Sequence, residues 1–168
     1  NIVFKRNNNY ILSDISLSLA PKNIIHLTGN NGSGKTTLLK ILTHILEPDK
    51  GEIFWKGKNI KKNIFDFYKN ITFIMDKETS NTNLTVNENI LFWKKIFSSP
   101  RKEKEIDFIL DLLSLNQYKH TITSYLSYGE KKKLELSRLI IEQKKLWILD
   151  EPYIGLDEAS TNLINQTI

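Results

Sequence analysis

Between an apolar run and a series of leucines at helical spacing lies Gly29-Asn30-Asn31-Gly32-Ser33-Gly34-Lys35-Thr36, a full match to the G-x-x-x-x-G-K-[ST] pattern. Glycines at this spacing let the backbone curl until successive N–H groups face one point, an anion nest suited to phosphate oxygens. Lys35 is spaced to reach β- and γ-phosphates, and the Thr36 hydroxyl to hold Mg²⁺, with Thr37 beside it in the first turn of the next element. Asn23 to Thr28 predicts a buried strand, with His26 a structural residue inside it. Leu38, Leu39, Ile41, Leu42, Ile45 and Leu46 predict the helix that follows. A strand, phosphate loop and helix in this order dictate an α/β fold and a nucleoside triphosphate as ligand.

Leu146-Trp147-Ile148-Leu149-Asp150-Glu151 is an apolar run ending in two carboxylates. It reads as a central parallel strand, and ligands of open α/β sheets sit at the carboxyl ends of such strands. There Asp150 would hold Mg²⁺ through water, and Glu151 would polarise an attacking water as general base. Shortly before this strand comes Leu126-Ser127-Tyr128-Gly129-Glu130. Ser127 is a good N-cap, and Gly129 leaves backbone N–H groups exposed at a helix start, a second anion site.

Three motifs in this order resemble the ATP-binding cassette (ABC) ATPases, whose signature Leu-Ser-Gly-Gly-Gln stands where Leu126 to Glu130 stand here. Ile154-Gly155-Leu156-Asp157 is similar to the family's D-loop. The resemblance implies an ABC-type nucleotide-binding domain with a RecA-like core, an antiparallel β subdomain and a helical subdomain. By that pattern residues 1–75 and 146–168 form the core and residues 76–145 the helical subdomain. It implies ATP and Mg²⁺ as ligands, Lys35 and Glu151 as catalytic residues, and a partner copy. Ser127, Tyr128, Gly129 and Glu130 of one subunit would close over the ATP of the other, with Asp157 in the D-loop between them. Integral membrane subunits complete such a complex, and no nucleic acid is expected.

The chain departs from that pattern at identifiable places. Tyr128 replaces the first signature glycine and Glu130 the glutamine, which puts a ring and a carboxylate beside an incoming phosphate unless both point away. Where the Q-loop glutamine belongs, the chain has Met75-Asp76-Lys77-Glu78, with Lys77 nearest in alignment. For the adenine-stacking aromatic, Arg6 falls nearest, with Phe4 and Tyr10 as alternatives. The family's switch histidine follows the D-loop, whereas His26, His44 and His120 all precede the acidic strand. With Asn1 at one end and Ile168 inside an apparent helix at the other, the chain reads as a fragment.

Gly51 to Gly57, Leu84 to Asn89, a non-glycine third signature residue and Leu146 to Tyr153 together resemble a narrower family. It is the ATP-binding export proteins of cytochrome c biogenesis, haem exporter subunits. That resemblance implies a peripheral protein on the cytoplasmic face of the inner membrane, or the mitochondrial matrix face, helping to release a haem chaperone. An ABC ATPase for another substrate would share every motif. Non-transport members acting on ribosomes or DNA usually carry a second cassette or a long coiled coil, and this sequence contains neither a second phosphate loop nor sustained heptads.

Remaining segments follow local rules. Asn7-Asn8-Asn9 reads as a turn, and Glu47 to Gly51 turns into an alternating strand over residues 52–56, closed at Gly57. Helices are predicted from Val86 onward and over Ile106, Ile109, Leu110 and Leu113, separated by Ser99-Pro100-Arg101. Phe92, Trp93 and Phe97 exceed what one buried helix face needs and predict an exposed patch for a membrane subunit, with ordinary packing inside the subdomain the alternative for any one of them. At 40% hydrophobic and 26% charged the chain is globular rather than disordered. No apolar run is long enough to cross a bilayer, and the absence of cysteine excludes disulfides and cysteine metal sites within it. Abundant Asn, Lys and Ile look like translation of an AT-rich genome, which inflates lysine and weakens the net charge of +5 as a clue to partners. Lys131 to Lys133 accordingly reads as a solvated helix face.

Overall fold

Asn7 and Asn8 both adopt left-handed backbone conformations, the type I′ geometry whose twist suits a two-residue hairpin. They join β1 (Ile2–Arg6) to β2 (Asn9–Ile15), which pair antiparallel with Arg6 opposite Asn9. The structure, a computed structural model, describes residues 1–167. It divides into two units, Asn1–Lys69 and a second beginning at Asn70.

In the first unit, α1 (Lys35–Leu42) follows the glycine loop and buries Leu38, Leu39 and Ile41. Leu38 and Ile41 join Ile2 and Leu12 in a small core, with Phe4, Ile11, Ile15, Leu42, Leu46 and Ile53 packed against it. The helix ends at Leu42, before the predicted apolar repeat does: His44 takes a left-handed conformation, and Ile45 and Leu46 bond back to the Lys40 carbonyl. A second hairpin, β3 (Phe54–Trp55) and β4 (Lys58–Asn59), turns at Lys56-Gly57, both at positive φ. It is shorter than the predicted strand over residues 52–56. The short α2 (Ile64–Lys69) then packs Phe67 edge-on against Trp55.

One expectation fails here. Asn23 to Thr28 forms no strand, and it is not buried: Ile24 is 72% exposed, and His26 is exposed too rather than structural. Alternating or continuous apolar residues make a strand only where a neighbour completes the ladder. Within this unit the only ladders are β1–β2 and β3–β4.

In the second unit, β5 (Ile71–Ile74) and β6 (Leu146–Leu149) run parallel in register, Ile71 opposite Leu146 and Ile74 opposite Leu149. Parallel strands need a long crossover, and here it contains α3 (Val86–Ile96), α4 (Glu103–Leu112) and α5 (Tyr128–Glu142). Among the described residues β6 has a ladder partner on one side only, and of its four residues Ile148 alone is buried, so the central-strand reading is not met. Thr85 with Glu88, and Ser127 with Glu130, form capping boxes that start α3 and α5. The core unites Val86, Ile90 and Trp93 of α3, Ile106, Ile109 and Leu110 of α4, and Leu134, Leu136, Leu139 and Ile141 of α5. After β6, a turn leads to α6 (Glu158–Thr167).

An ionic network lies inside this unit. Arg138 Nε donates to Glu142 Oε1 at 2.6 Å, and its guanidinium lies 3.6 Å from Glu135 Oε2. Glu142 also accepts from the Thr72 hydroxyl, tying α5 to β5. The guanidinium covers the rings of Trp93 and Phe97 at 5.6 Å from each centroid. All three charged residues are buried. Removing one partner leaves the others buried and uncompensated, which is far costlier than losing a surface pair. Arg138→Met therefore lowers unfolding stability by about 3–5 kcal/mol, measured by urea denaturation. A loss below about 1 kcal/mol would show that the network carries no net stability.

The same contacts correct the predicted apolar patch. Trp93 is buried and Phe97 half-buried under Arg138 and Lys144, because the stacked cations cover them. Phe92 is exposed as expected, flanked by exposed Leu91 and Ile96. Lys131 to Lys133 is not a solvated face either. Lys132 is buried, while Lys131 lies 3.7 Å from Glu78 and Lys133 3.1 Å from Asp157.

Candidate functional site

Gly34 caps α1 at φ 95° without a side-chain hydrogen bond. A β-carbon there would lie 3.0 Å from Leu12 Cδ2 and 3.2 Å from the Ile11 carbonyl. Only glycine combines that backbone turn with that closeness to β2. The uncapped start of α1 presents its first backbone N–H groups at the loop, where the helix dipole favours an anion. Lys35 Nζ folds over the loop and donates to the Gly29 carbonyl at 2.7 Å and the Asn30 carbonyl at 3.0 Å. Ser33 N closes the turn on the Asn30 carbonyl. Asn30, Asn31, Gly32 and Ser33 are exposed; Thr36 is exposed and Thr37 half-buried on the first turn of α1. The result is a glycine-rich turn at the start of α1 whose backbone carbonyls hold one ammonium group.

On the neighbouring hairpin the three adenine candidates separate. Phe4 turns into the small core, Arg6 is exposed, and Tyr10 is exposed with Lys5 Nζ 4.3 Å from its ring centre. Tyr10 alone offers an accessible aromatic face.

The second unit holds the acidic pair. Asp150 is buried at the carboxyl end of β6, its N–H bonded to the Ile74 carbonyl at the end of β5. Glu151 follows exposed, at φ 48°. That left-handed backbone costs a residue with a β-carbon roughly 1–2 kcal/mol. A buried carboxylate beside an exposed one gives two environments to identical chemistry, one suited to holding position and one to exchanging protons with water.

At the start of α5, the two departures from the family signature do point into structure. Glu130 turns back along the cap, accepting from Ser127 N at 2.7 Å and the Ser127 hydroxyl at 2.8 Å. The Tyr118 hydroxyl, together with these cap contacts, holds its carboxyl below the usual carboxylate range. Tyr118 was not singled out in the sequence, since its contact spans twelve residues and a helix break. Tyr128 donates its hydroxyl to Asp76 Oδ1 at 3.0 Å, and Asp76 in turn pushes the phenol pKa up. Gly129 packs against the chain after β6: a β-carbon on it would lie 2.6 Å from the Gly155 carbonyl. Asp157 caps α6 through Ser160 N at 2.7 Å and pairs with Lys133. The Ser160 contacts and that lysine pull its carboxyl down to about 2. Lys77, aligned with the Q-loop glutamine, is exposed, and Glu78 beside it is half-buried.

The chain is similar to known proteins. A family profile described as ABC transporter matches residues 12–154. The chain is 39% identical over 153 residues to the cytochrome c biogenesis ATP-binding export protein CcmA of Legionella pneumophila, covering 89% of this chain and 74% of that protein. It is 33% identical over 162 residues to the CcmA of Dechloromonas aromatica, covering 96% and 79%. Its fold superposes on the solved ATP-binding subunit of an ABC transporter with a TM-score of 0.85 at 21% identity, covering 98% of this chain and 70% of that one.

Proposed function

Because this chain belongs to the ABC transporter family, we propose that it is an ATP-hydrolysing subunit that binds nucleotide through the Gly29 to Thr37 loop. The observation that carries this reading is the Lys35 ammonium held by the Gly29 and Asn30 carbonyls at the start of α1. Triphosphate oxygens substitute for those carbonyls with stronger, charge-assisted bonds. The exposed ring of Tyr10 is the surface for adenine. Thr36 and Asp150 supply hard oxygen donors for Mg²⁺. Among the described residues no three His, Cys, Asp or Glu side chains cluster as a metal cage. Such a sparse donor set fits Mg²⁺, which keeps waters and phosphate oxygens as most of its ligands and neutralises phosphate charge. Glu151 accepts the proton of the attacking water as that oxygen bonds to the γ-phosphorus and the β–γ bridge breaks, leaving ADP and phosphate.

The working unit is a head-to-tail homodimer in which the Ser127 to Glu130 turn of one copy closes over the ATP of the other. The cap contacts of Ser127 and Glu130 leave backbone N–H groups at Tyr128 and Gly129 as the anion donors of that turn. Integral membrane subunits are the further partners, met partly through exposed Leu91, Phe92 and Ile96. No helix among the described residues is long and apolar enough to cross a membrane. The likeness to the export proteins supports a peripheral subunit on the cytoplasmic or matrix face. The likeness to two CcmA proteins supports haem export or haem-chaperone release in cytochrome c biogenesis as the driven process. A strain lacking this protein loses holo-cytochromes c while b-type cytochromes persist, and Lys35→Ala does not complement it. Normal holo-cytochrome c in that strain would reject the assignment and leave an ABC ATPase of another substrate.

A further inference from the structure

Five residues spaced along α5, Tyr128, Lys131, Glu135, Arg138 and Glu142, reach β5 or the chain leaving it. Tyr128 bonds Asp76, and Lys131 lies 3.7 Å from Glu78. Glu135 accepts from Thr79 N at 2.7 Å, and from the Thr79 hydroxyl and Ser80 N as well. Arg138 donates to the Thr79 hydroxyl at 3.0 Å, and Glu142 accepts from Thr72. These positions recur at three- and four-residue intervals, so they form one stripe on the helix. Lower on the stripe the grip is buried and multiple. At its top it depends on the Tyr128 hydroxyl.

Tyr128 also faces the other loop. A β-carbon on Gly155, which has φ 78°, would collide with Tyr128 Cδ1 and Cε1, so the ring lies directly against the backbone after the acidic strand. One side chain thus touches the loop after β5 and the loop after β6, two strands paired in parallel.

We propose that Tyr128 is a positioning residue that fixes the Ser127 to Gly129 turn relative to both loops, its hydroxyl on Asp76 and its ring on Gly155. The inference rests on the ATPase reading above. In this chain the position of the first signature glycine is not a neutral spacer. A displacement of residues 76–80 reaches the turn through the hydroxyl, and a displacement of residues 153–157 reaches it through the ring. Glycine at position 128 would break both links, phenylalanine only the first.

The test compares Tyr128→Phe, Asp76→Ala, Asp76→Asn and the Tyr128→Phe/Asp76→Ala double variant, by ATP turnover and by amide exchange without nucleotide. Tyr128→Phe and Asp76→Ala are each expected to lower kcat about five- to tenfold with KM for ATP within twofold, the size of one hydrogen bond. The double variant falls no further, and Asp76→Asn, which keeps an acceptor oxygen, retains most turnover. In the exchange experiment Tyr128→Phe speeds exchange of residues 76–80 several-fold while residues 153–157 stay protected by the ring. Additive losses, an unchanged kcat, or exchange at residues 76–80 equal to wild type would each overturn the proposal. A thermal midpoint that falls while kcat holds would mark a structural contact only. Should wild type itself not turn over ATP, the ATPase reading fails, and the exchange result still decides whether Tyr128 holds the loop.

Discussion

Glu151→Gln cuts kcat by about three orders of magnitude while MgATP still binds, because an amide keeps the shape of the carboxylate and cannot take a proton from water. ATP then accumulates with the protein, and the head-to-tail dimer that hydrolysis would reopen persists as a closed species on size exclusion. The substitution is conservative in backbone terms too. Glu151 sits at φ 48°, and glutamine meets the same β-carbon cost there, so the turn after β6 is not relieved or remodelled. Its exposure also rules out a folding defect from lost burial. Turnover within threefold of wild type would show that another group, or water alone, serves as base. Asp150 behaves differently: it is buried with its N–H on Ile74, so replacing it disturbs packing as well as chemistry.

The parts of the molecule that local rules govern were legible in the sequence. β6 is a short apolar run, and Ser127 is an N-cap by residue type. The buried face of α4 repeats at Ile106, Ile109 and Leu110 as the helical period requires. Asn7-Asn8 was readable as a turn because asparagine tolerates the left-handed region. Contacts set by distant chain were not legible. Asn23 to Thr28 has the pattern of a strand and lacks a ladder partner within its unit. Trp93 and Phe97 looked surplus to one helix face until Arg138, some forty residues on, was seen to cover them. Tyr128 and Asp76 lie 52 residues apart, and no motif spacing links them. In the sequence Tyr128 and Glu130 read only as obstacles to an incoming phosphate. The fold turns one into a strut and the other into a cap.

Lys35→Ala is expected to weaken ATP binding by about two orders of magnitude. The ammonium is the cation the loop holds through its backbone carbonyls, and its bonds to phosphate are charge-assisted, each worth roughly 1.5–3 kcal/mol. The fold should tolerate the change, since the side chain packs no core and bonds only to exposed carbonyls. Equilibrium titration of a fluorescent ATP analogue with Mg²⁺, on wild type and Lys35→Ala side by side, tests the central claim most directly. A wild-type isotherm that saturates in the micromolar range, with the variant shifted about a hundredfold to weaker binding, is the result this account predicts. Equal affinity in the two proteins would contradict it, because the Gly29 to Thr36 loop would then not be where the phosphates bind.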